Sequence, residues 1–574
     1  MPFKSPFPDI EIPETDLWNF FLGRSAVPFS RSQLRSSIPS MHVCSSSTTY
    51  ILCTYTCNSI ADYLLFLGIY VDSITNRAYT FDDIVRLSKS AGQALVAAFS
   101  LNPGARVSFV ATNQIDTGIL TFATLWAGAT ACPANPQYTA SELTHQLKDA
   151  KIDIIITLAS LLPTVRMAAK NAGLPENKII LLGDERHPEF KHWTDLPPAP
   201  HVSKAEINPV KDVAFVVYSS GTTGVPKGVM LTHRNLAANI TQFGMIEFKS
   251  TISGIDKILG VLPLYHIFGL TTVLMSAVHH GLEAFIMSSF DLERTCKLIQ
   301  DHRITTISVP PPIVLALAKD PIPLKYDLSS LRWITSGAAP LTRELAEAVW
   351  DRLKIGTKQG FGMSETSPVI CVQYPDEWGR FVGGVGRLVP NMEAKIIDEE
   401  GNEVKDGESG ELLVRGPNVF PGYLNLPHLN KDIFTDDGFL HTGDVVYKNK
   451  QDVLYVTDRA KELIKYKGFQ VAPAELEGIL ISHPDIIDAC VFGVVDHSQA
   501  TEVPRAYIVP RPGVEPSVKL AGEIQAWLAS KVAPYKKLRG GVRWTKEIPK
   551  SGTGKILRRV LKALDKKESE TSKL

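Results

Sequence analysis

Long hydrophobic runs, an excess of charge of either sign and metal-type cysteine spacing are all missing from this 574-residue chain. The apolar stretch YLLFLGIY at 63–70 falls far short of the ~18–20 residues that a membrane-spanning helix requires. Sixty basic residues balance sixty acidic ones, so no field for nucleic acid or a membrane surface is implied. The seven cysteines are odd in number, and Cys53 and Cys57 lack the second pair or the histidines of a metal site. Free thiols in a reducing compartment are expected. The opening MPFKSPFPDIEIPE carries acids and prolines where a secretion signal has an apolar centre.

One absence is local. From Leu17 to Ala61 there is no Asp or Glu, and residues 31–61 hold eight Ser, four Thr and three of the seven Cys without any period. The stretch 17–66 therefore reads as an insertion or as a gene-model artefact, translated from an unremoved intron, with the latter favoured.

The remainder is patterned. With 44% apolar content the chain can bury a large core and should form two or more domains. Thr80-x-x-Asp83 predicts a capping box ahead of a helix whose apolar positions are Ile84, Leu87, Ala91, Leu95 and Ala98. Short apolar runs (RVSFV, DIIIT, KIILL, VAFVV, ILGVL, ITTISV, LRWIT) alternate with helical patterns, which predicts α/β sheets covered on both faces. Past Asp458 the character changes to a compact α+β unit, with helices expected near 473–482 and 522–532 and strands near 489–495 and 505–509.

The segment YSSGTTGVPKGV at 218–229 follows the run VAFVV and concentrates Ser219, Ser220, Gly221, Thr222, Thr223, Gly224 and Lys227. Glycines allow close backbone approach, and N–H groups, hydroxyls and an ammonium suit a polyphosphate. It is not a P-loop, because Lys227 stands between Pro226 and Gly228 rather than after Gly and before Ser or Thr. SGTGK at 551–555 fails the same pattern, since Pro549 occupies the first glycine position and Ile556 follows the lysine.

Further along stand LPLYHIFG (262–269), SGAAP (336–340), QGFGMSETSP (359–368), HTGD (441–444), DRAKELIKYKGFQVAPAELE (458–477) and PKSGTGKILRR (549–559). In this order the set resembles the adenylate-forming (AMP-binding) superfamily over roughly residues 70–562, nearest its 4-coumarate–CoA ligase-like peroxisomal branch. The resemblance implies a large domain of covered β-sheets with helices over 1–458, a small mobile α+β domain over 459–563 and a flexible tail over 564–574. It implies an AMP-forming acid–thiol ligase that uses ATP, Mg2+ and coenzyme A. Alternatives are adenylation without CoA transfer, luciferase-like oxidation and a catalytically silent scaffold.

By the same resemblance Lys555, His266, Lys465 and Gln470 are catalytic. The loop residues named above, with Gly337, Ala338, Gln359, Gly360, Phe361, Ser364, Asp444, Arg459, Lys467 and Gly468, bind ATP or CoA. Glu365 is the magnesium-associated carboxylate and Lys461 the hinge. Phe268, Gly269, Thr272, Gly362, Pro368 and Val369 line the acyl pocket. That lining is uncharged, with Gly269 removing bulk. It predicts an aromatic or medium-to-long aliphatic acid and no cation to meet a second carboxylate. Resemblance to peroxisomal ligases of filamentous fungi suggests secondary metabolism. Since Lys555 and residues 465–471 serve different half-reactions, the small domain is expected to rotate between them. Ser572-Lys573-Leu574 is a peroxisomal address, read by the import receptor. Nothing in the chain specifies an interface, so a monomer or weak dimer is expected.

Overall fold

Seven runs rich in β-branched residues predict strands, and a computed structural model places a strand in each. The structure describes residues 2–23, 68–219, 226–247, 251–339, 341–459, 462–467, 469–496, 501–551 and 554–571. One seven-stranded sheet runs Gly422–Tyr423, Lys227–Thr232, Val213–Ser219, Thr130–Ala134, Arg106–Val110, Ile154–Thr157, Ile179–Leu181. The strands Thr130–Ala134, Arg106–Val110, Ile154–Thr157 and Ile179–Leu181 pair in parallel, and Thr130–Ala134 and Ile154–Thr157 are buried along their length, as expected for a sheet covered on both faces. A nine-stranded sheet carries Lys257–Gly260, Thr306–Val309, Trp333–Ser336 and Gly356–Gly362 at its centre. A five-stranded antiparallel sheet, ending in Leu440–Lys448 and Leu454–Arg459, completes the large domain among the described residues.

Local sequence signals explain the helices that wedge between the sheets. Thr80 caps Phe81–Phe99 through a capping box in which its hydroxyl accepts from the Asp83 amide and the Asp83 carboxylate accepts from the Thr80 amide. Such a cap contributes about 1 kcal/mol. Ile84, Ala91 and Leu95 turn inward on that helix.

The start of the acid-free stretch corrects its reading as foreign sequence. Leu17–Leu22 is a helix whose N-cap Asp16 accepts from the Asn19 amide, and Leu17, Phe20, Phe21 and Leu22 are core residues. Phe21 meets Phe122 edge to face at 5.5 Å. Burial of each such side chain contributes about 1.5–3 kcal/mol, so these residues belong to the fold. The remainder of that stretch, 24–66, lies outside the described residues.

The small unit begins after Arg459. It joins a hairpin (Ile464–Tyr466 and Phe469–Val471) to a sheet of Ile486–Asp496, Thr501–Pro510 and Val542–Trp544. Helices Pro473–Ile481 and Val518–Ala529 cover it, and Ile464, Leu476, Val491, Ile508, Ile524 and Leu528 share its core. It sits against the large domain at several points. Lys319 donates to the Ile481 carbonyl at 2.5 Å, and a Cβ at Gly478 would lie 2.2 Å from the Thr342 methyl. The described cysteines, Cys132, Cys296, Cys371 and Cys490, are buried and free, and burial pushes the Cys132 thiol up to about 12.

Candidate active site

The glycine-rich segment connects two antiparallel strands rather than a strand and a helix, which is why the P-loop pattern fails. Ser219 pairs across the hairpin with Lys227. Ser220, Gly221, Thr222, Thr223 and Gly224 lie outside the described residues, but both anchors, Ser219 and Lys227, line a cavity of about 500 Å³.

A polar chain crosses one end of this cavity. Glu365, on the 3₁₀ turn Ser364–Thr366, accepts a 2.6 Å hydrogen bond from the Tyr423 hydroxyl. The Lys227 ammonium stands 4.7 Å from the centre of the same tyrosine ring. Tyr423 was not among the residues that sequence reasoning singled out; it comes from the edge strand Gly422–Tyr423, hydrogen-bonded to Lys227–Thr232. Among the described residues no group of three or more His, Cys, Asp or Glu could cage a metal. A single carboxylate beside Lys227 and Ser364 instead fits magnesium, which takes one or two carboxylates and completes its shell with substrate phosphates and water.

Lys555 reaches the same cavity from the small domain. Its loop is a tight turn in which Gly554 donates to the Ser551 carbonyl and has φ +78, a conformation that favours glycine. A Cβ there would also meet Pro310 at 3.0 Å, so the loop rests directly on the large domain. Opposite stands His266, which caps the short turn Ile267–Gly269 by accepting from the Phe268 amide at 3.2 Å through Nδ1. The proton of the neutral ring is then on Nε2. Desolvation among the cavity walls, and then the charge of Lys555, push His266 down to about 4.

The remaining lining is mostly apolar. Phe268, Thr272, Gly362, Pro368 and Val369 border the cavity as the sequence predicted, and Phe243, Thr335 and Val372, which it did not, join them. Gly269 does not border it. A Cβ at that position would lie 2.3 Å from the Pro263 carbonyl oxygen, so the glycine permits close packing of the turn on the preceding strand end and does not widen the pocket. Lys358, 1% exposed, pairs with Glu247, and neither borders the cavity.

Gly337, Ala338, Gly360 and Phe361 line the cavity, and the last three continue into an adjoining cleft of about 180 Å³ between the domains. Gln359 and Asp444 border that cleft. Asp444 is buried and pairs in register with Arg459 on the neighbouring strand. The Arg459 side chain lies outside the described residues, as do the Gln470 side chain, Lys461 and Gly468.

Lys465 and Lys467 do not border the cavity. Lys465 is exposed, with its ammonium 3.7 Å from Glu399 and its amide donating to Glu502. Lys467 is exposed beside it, its amide donating to Thr501. The structure therefore brings Lys227, His266, Ser364, Glu365 and Lys555 together and leaves the 464–471 hairpin outside.

Comparison with known proteins agrees with this geometry. Residues 68–424 match the model of the AMP-binding enzyme family and residues 475–555 that of the AMP-binding enzyme C-terminal domain. A 4-coumarate–CoA ligase of Pinus taeda is 37% identical over 503 residues, covering 86% of this chain and 91% of its own length. The 4-coumarate–CoA ligase 1 of Petroselinum crispum is 34% identical over 554 residues, covering 94% and 98%. Among solved structures, ATP-bound MatB from Rhodopseudomonas palustris superposes with a TM-score of 0.76 at 26% identity, over 86% of this chain and 94% of that one.

Proposed function

From the premise that the chain belongs to the AMP-binding enzyme family, as an AMP-forming acid–thiol ligase, we propose that it activates an aromatic or medium-to-long aliphatic acid as its acyl-adenylate and passes the acyl group to CoA. The observation that supports this most is the convergence of Lys227 and Glu365 from the large domain and Lys555 from the small one on a single cavity with an apolar extension. A carboxylate is a poor target for a thiol until it carries a leaving group. Its oxygen attacks the α-phosphorus of ATP, and the bond to pyrophosphate breaks. The CoA thiolate then attacks the acyl carbonyl, and AMP leaves.

In the first step two anions must meet, so positioning and charge neutralisation do most of the catalysis. Lys227 and the 219–228 loop hold the terminal phosphates. Lys555 lies between the carboxylate and the α-phosphate as charge develops there. The Nε2–H of neutral His266 donates to the acid and keeps a second full charge out of the site. Asp444 accepts from the ribose hydroxyls. Glu365 is the residue that would hold magnesium, which would supply charge neutralisation on the phosphates. Lys465, Lys467 and Gln470 serve the thioester step after the small domain has turned about Lys461.

The test is acid-dependent pyrophosphate exchange across a panel of aryl and aliphatic acids, followed by product analysis with and without CoA. Exchange without CoA and thioester only with it are the expected results. No exchange with any acid overturns the reading, and a preference for acetate or a short dicarboxylate overturns the pocket assignment. We further propose peroxisomal import through Ser572-Lys573-Leu574, to be checked by the location of a fluorescent fusion with and without that tripeptide. A monomer or weak dimer is expected by light scattering.

A further inference from the structure

The polar end of the cavity depends on two strand ends that meet a residue outside it. Tyr218 is the last residue before Ser219 on the strand Val213–Ser219, and it pairs in register with Gly228. A Cβ at Gly228 would lie 3.3 Å from the Tyr218 ring and 3.2 Å from the Leu424 Cβ, so the chain beside Lys227 is pressed between the two. The Gly228 carbonyl accepts from the Leu424 amide at 2.7 Å. Tyr218 and Leu424 therefore fix the hairpin that carries Ser219 and Lys227, and the edge strand before Leu424 carries Tyr423 to Glu365.

Both sides of this sandwich are tied to one carboxylate. The Tyr218 hydroxyl donates to one carboxylate oxygen of Asp149 at 2.7 Å. Asn425, next to Leu424, donates its side-chain amide to the other oxygen at 3.1 Å and to the Asp149 carbonyl at 2.8 Å. Asn425 has φ +57, the left-handed conformation that asparagine tolerates better than most residues. Asp149 closes the helix Ala140–Asp149. A carboxylate at a helix C-terminus is opposed by the helix dipole, so the helix itself gains nothing from it. Burial, and then the bond to Asp149, push the Tyr218 phenol well up, so it keeps its proton and donates. Neither Asp149 nor Tyr218 borders the cavity.

We propose that Asp149 is a positioning residue for ATP. By holding Tyr218 and Asn425 together it sets the place of Ser219 and Lys227 relative to Tyr423 and Glu365. It acts through these residues and touches no substrate. Without the tie the hairpin end shifts against the edge strand and spreads the groups that meet the terminal phosphates, and small misplacements are costly in such a site. The acyl end, lined by Phe268, Thr272, Pro368 and Val369, is built on other elements. The inference rests on the reading of this cavity as the ATP site of a ligase, and adds to it a residue from a helix outside the site.

The test is steady-state pyrophosphate exchange with Asp149→Ala, Asp149→Asn and Tyr218→Phe, varying ATP and acid separately. Asp149→Ala is expected to raise KM for ATP about five- to tenfold, the order of one lost hydrogen bond, and to leave KM for the acid within about twofold. Asp149→Asn keeps an acceptor for the Tyr218 hydroxyl and is expected to return KM for ATP to within about twofold of wild type. Tyr218→Phe should reproduce most of the rise. Adding it to Asp149→Ala should raise KM little further, since both remove one bond. A residue that only stabilises the fold would lower the melting temperature without this split or this non-additivity. Should Asp149→Ala not fold, Tyr218→Phe carries the same readout. Three results overturn the inference: an unchanged KM for ATP in folded Asp149→Ala or in Tyr218→Phe, an equal rise in both KM values, or full additivity in the double variant. Calorimetric titration with ATP and magnesium reads the same loss of affinity without turnover. No exchange with any acid therefore overturns the ligase reading alone.

Discussion

The small domain shows two lysine-bearing faces in unlike settings. On one, the Ser551–Lys555 turn lies against Pro310, and Lys555 enters the cavity that holds His266 and Glu365. On the other, the 464–471 hairpin carries Lys465 and Lys467 out toward solvent. Both belong to one unit sharing a core in which Ile464, Val471, Val491 and Ile508 pack together. A rigid unit of that size cannot turn both faces to one acyl carbonyl. The arrangement observed suits the adenylating half of the proposed reaction, and the proposed thioester half calls for the unit to rotate.

The largest effect should come from the inward face. Lys555→Ala is expected to lower pyrophosphate exchange about 10²–10³-fold, the cost of removing one preorganised electrostatic contact to the transition state. Conversion of supplied acyl-adenylate to thioester should be affected at least tenfold less. Equal losses in both half-reactions would dissolve the distinction between the faces.

Next in size is the attachment of that face. Arg558, three residues after Lys555, bonds Glu462 and Glu477 with its two terminal nitrogens and the Val491 carbonyl with Nε. Burial works against its charge, but Glu477, Glu462 and Asp458 raise its affinity for the proton overall. Glu477 is pushed up to about 7 by burial, against the pull of Arg558. Arg558→Met strands two carboxylates and is expected to cost about 3 kcal/mol of stability in a denaturant titration. Arg558→Lys should restore only part of this, because an ammonium cannot reproduce the fork. Both half-reactions should suffer, in contrast to Lys555→Ala. A stability loss below about 1 kcal/mol would show that the pair network is dispensable.

The outward face should give a smaller and opposite split. Lys465→Ala is expected to slow thioester formation about tenfold more than adenylation, read by single-turnover measurement of each step. A slower adenylation step alone would assign the hairpin to the wrong half-reaction.

Much of this contrast is legible in the sequence, and what is illegible has a physical cause. Thr80 and Asp83, or the β-branched run before Ser219, act on neighbours within a few residues, so local pattern suffices. The pairing of Asp444 with Arg459 follows from adjacent antiparallel strands. Gly269 was misread because a missing side chain has the same appearance in sequence whether it makes room for a ligand or for a carbonyl. Lys358 and Glu247 were missed because each alone resembles a surface charge, and only the packing of a helix on a sheet joins them across 111 residues. The helix Leu17–Leu22 was misjudged because composition averaged over a long stretch hid its apolar face.

The smallest expected effect is a titration, and it reports the position of the inward face directly. His266 is held down to about 4, from an ordinary value of 6.5, by desolvation and then by the charge of Lys555. The folded value lies below the unfolded one. The neutral ring's contribution to stability is therefore fully present above pH 6.5 and is lost as the pH falls through that window toward 4. Removing the Lys555 charge leaves desolvation, the larger cause, in place. In Lys555→Ala the His266 value should therefore rise but stay below 6.5, and the acid-side loss of stability, still beginning near pH 6.5, should end at a higher pH and be smaller. Imidazole NMR titration of the two proteins measures this, with His266→Asn identifying the resonance. An unmoved value would mean that the loop spends little time over the cavity in solution. A rise of the His266 value in the wild type toward that of Lys555→Ala, when CoA and a non-reactive acyl-adenylate analogue are added, would show the loop leaving as the other face arrives.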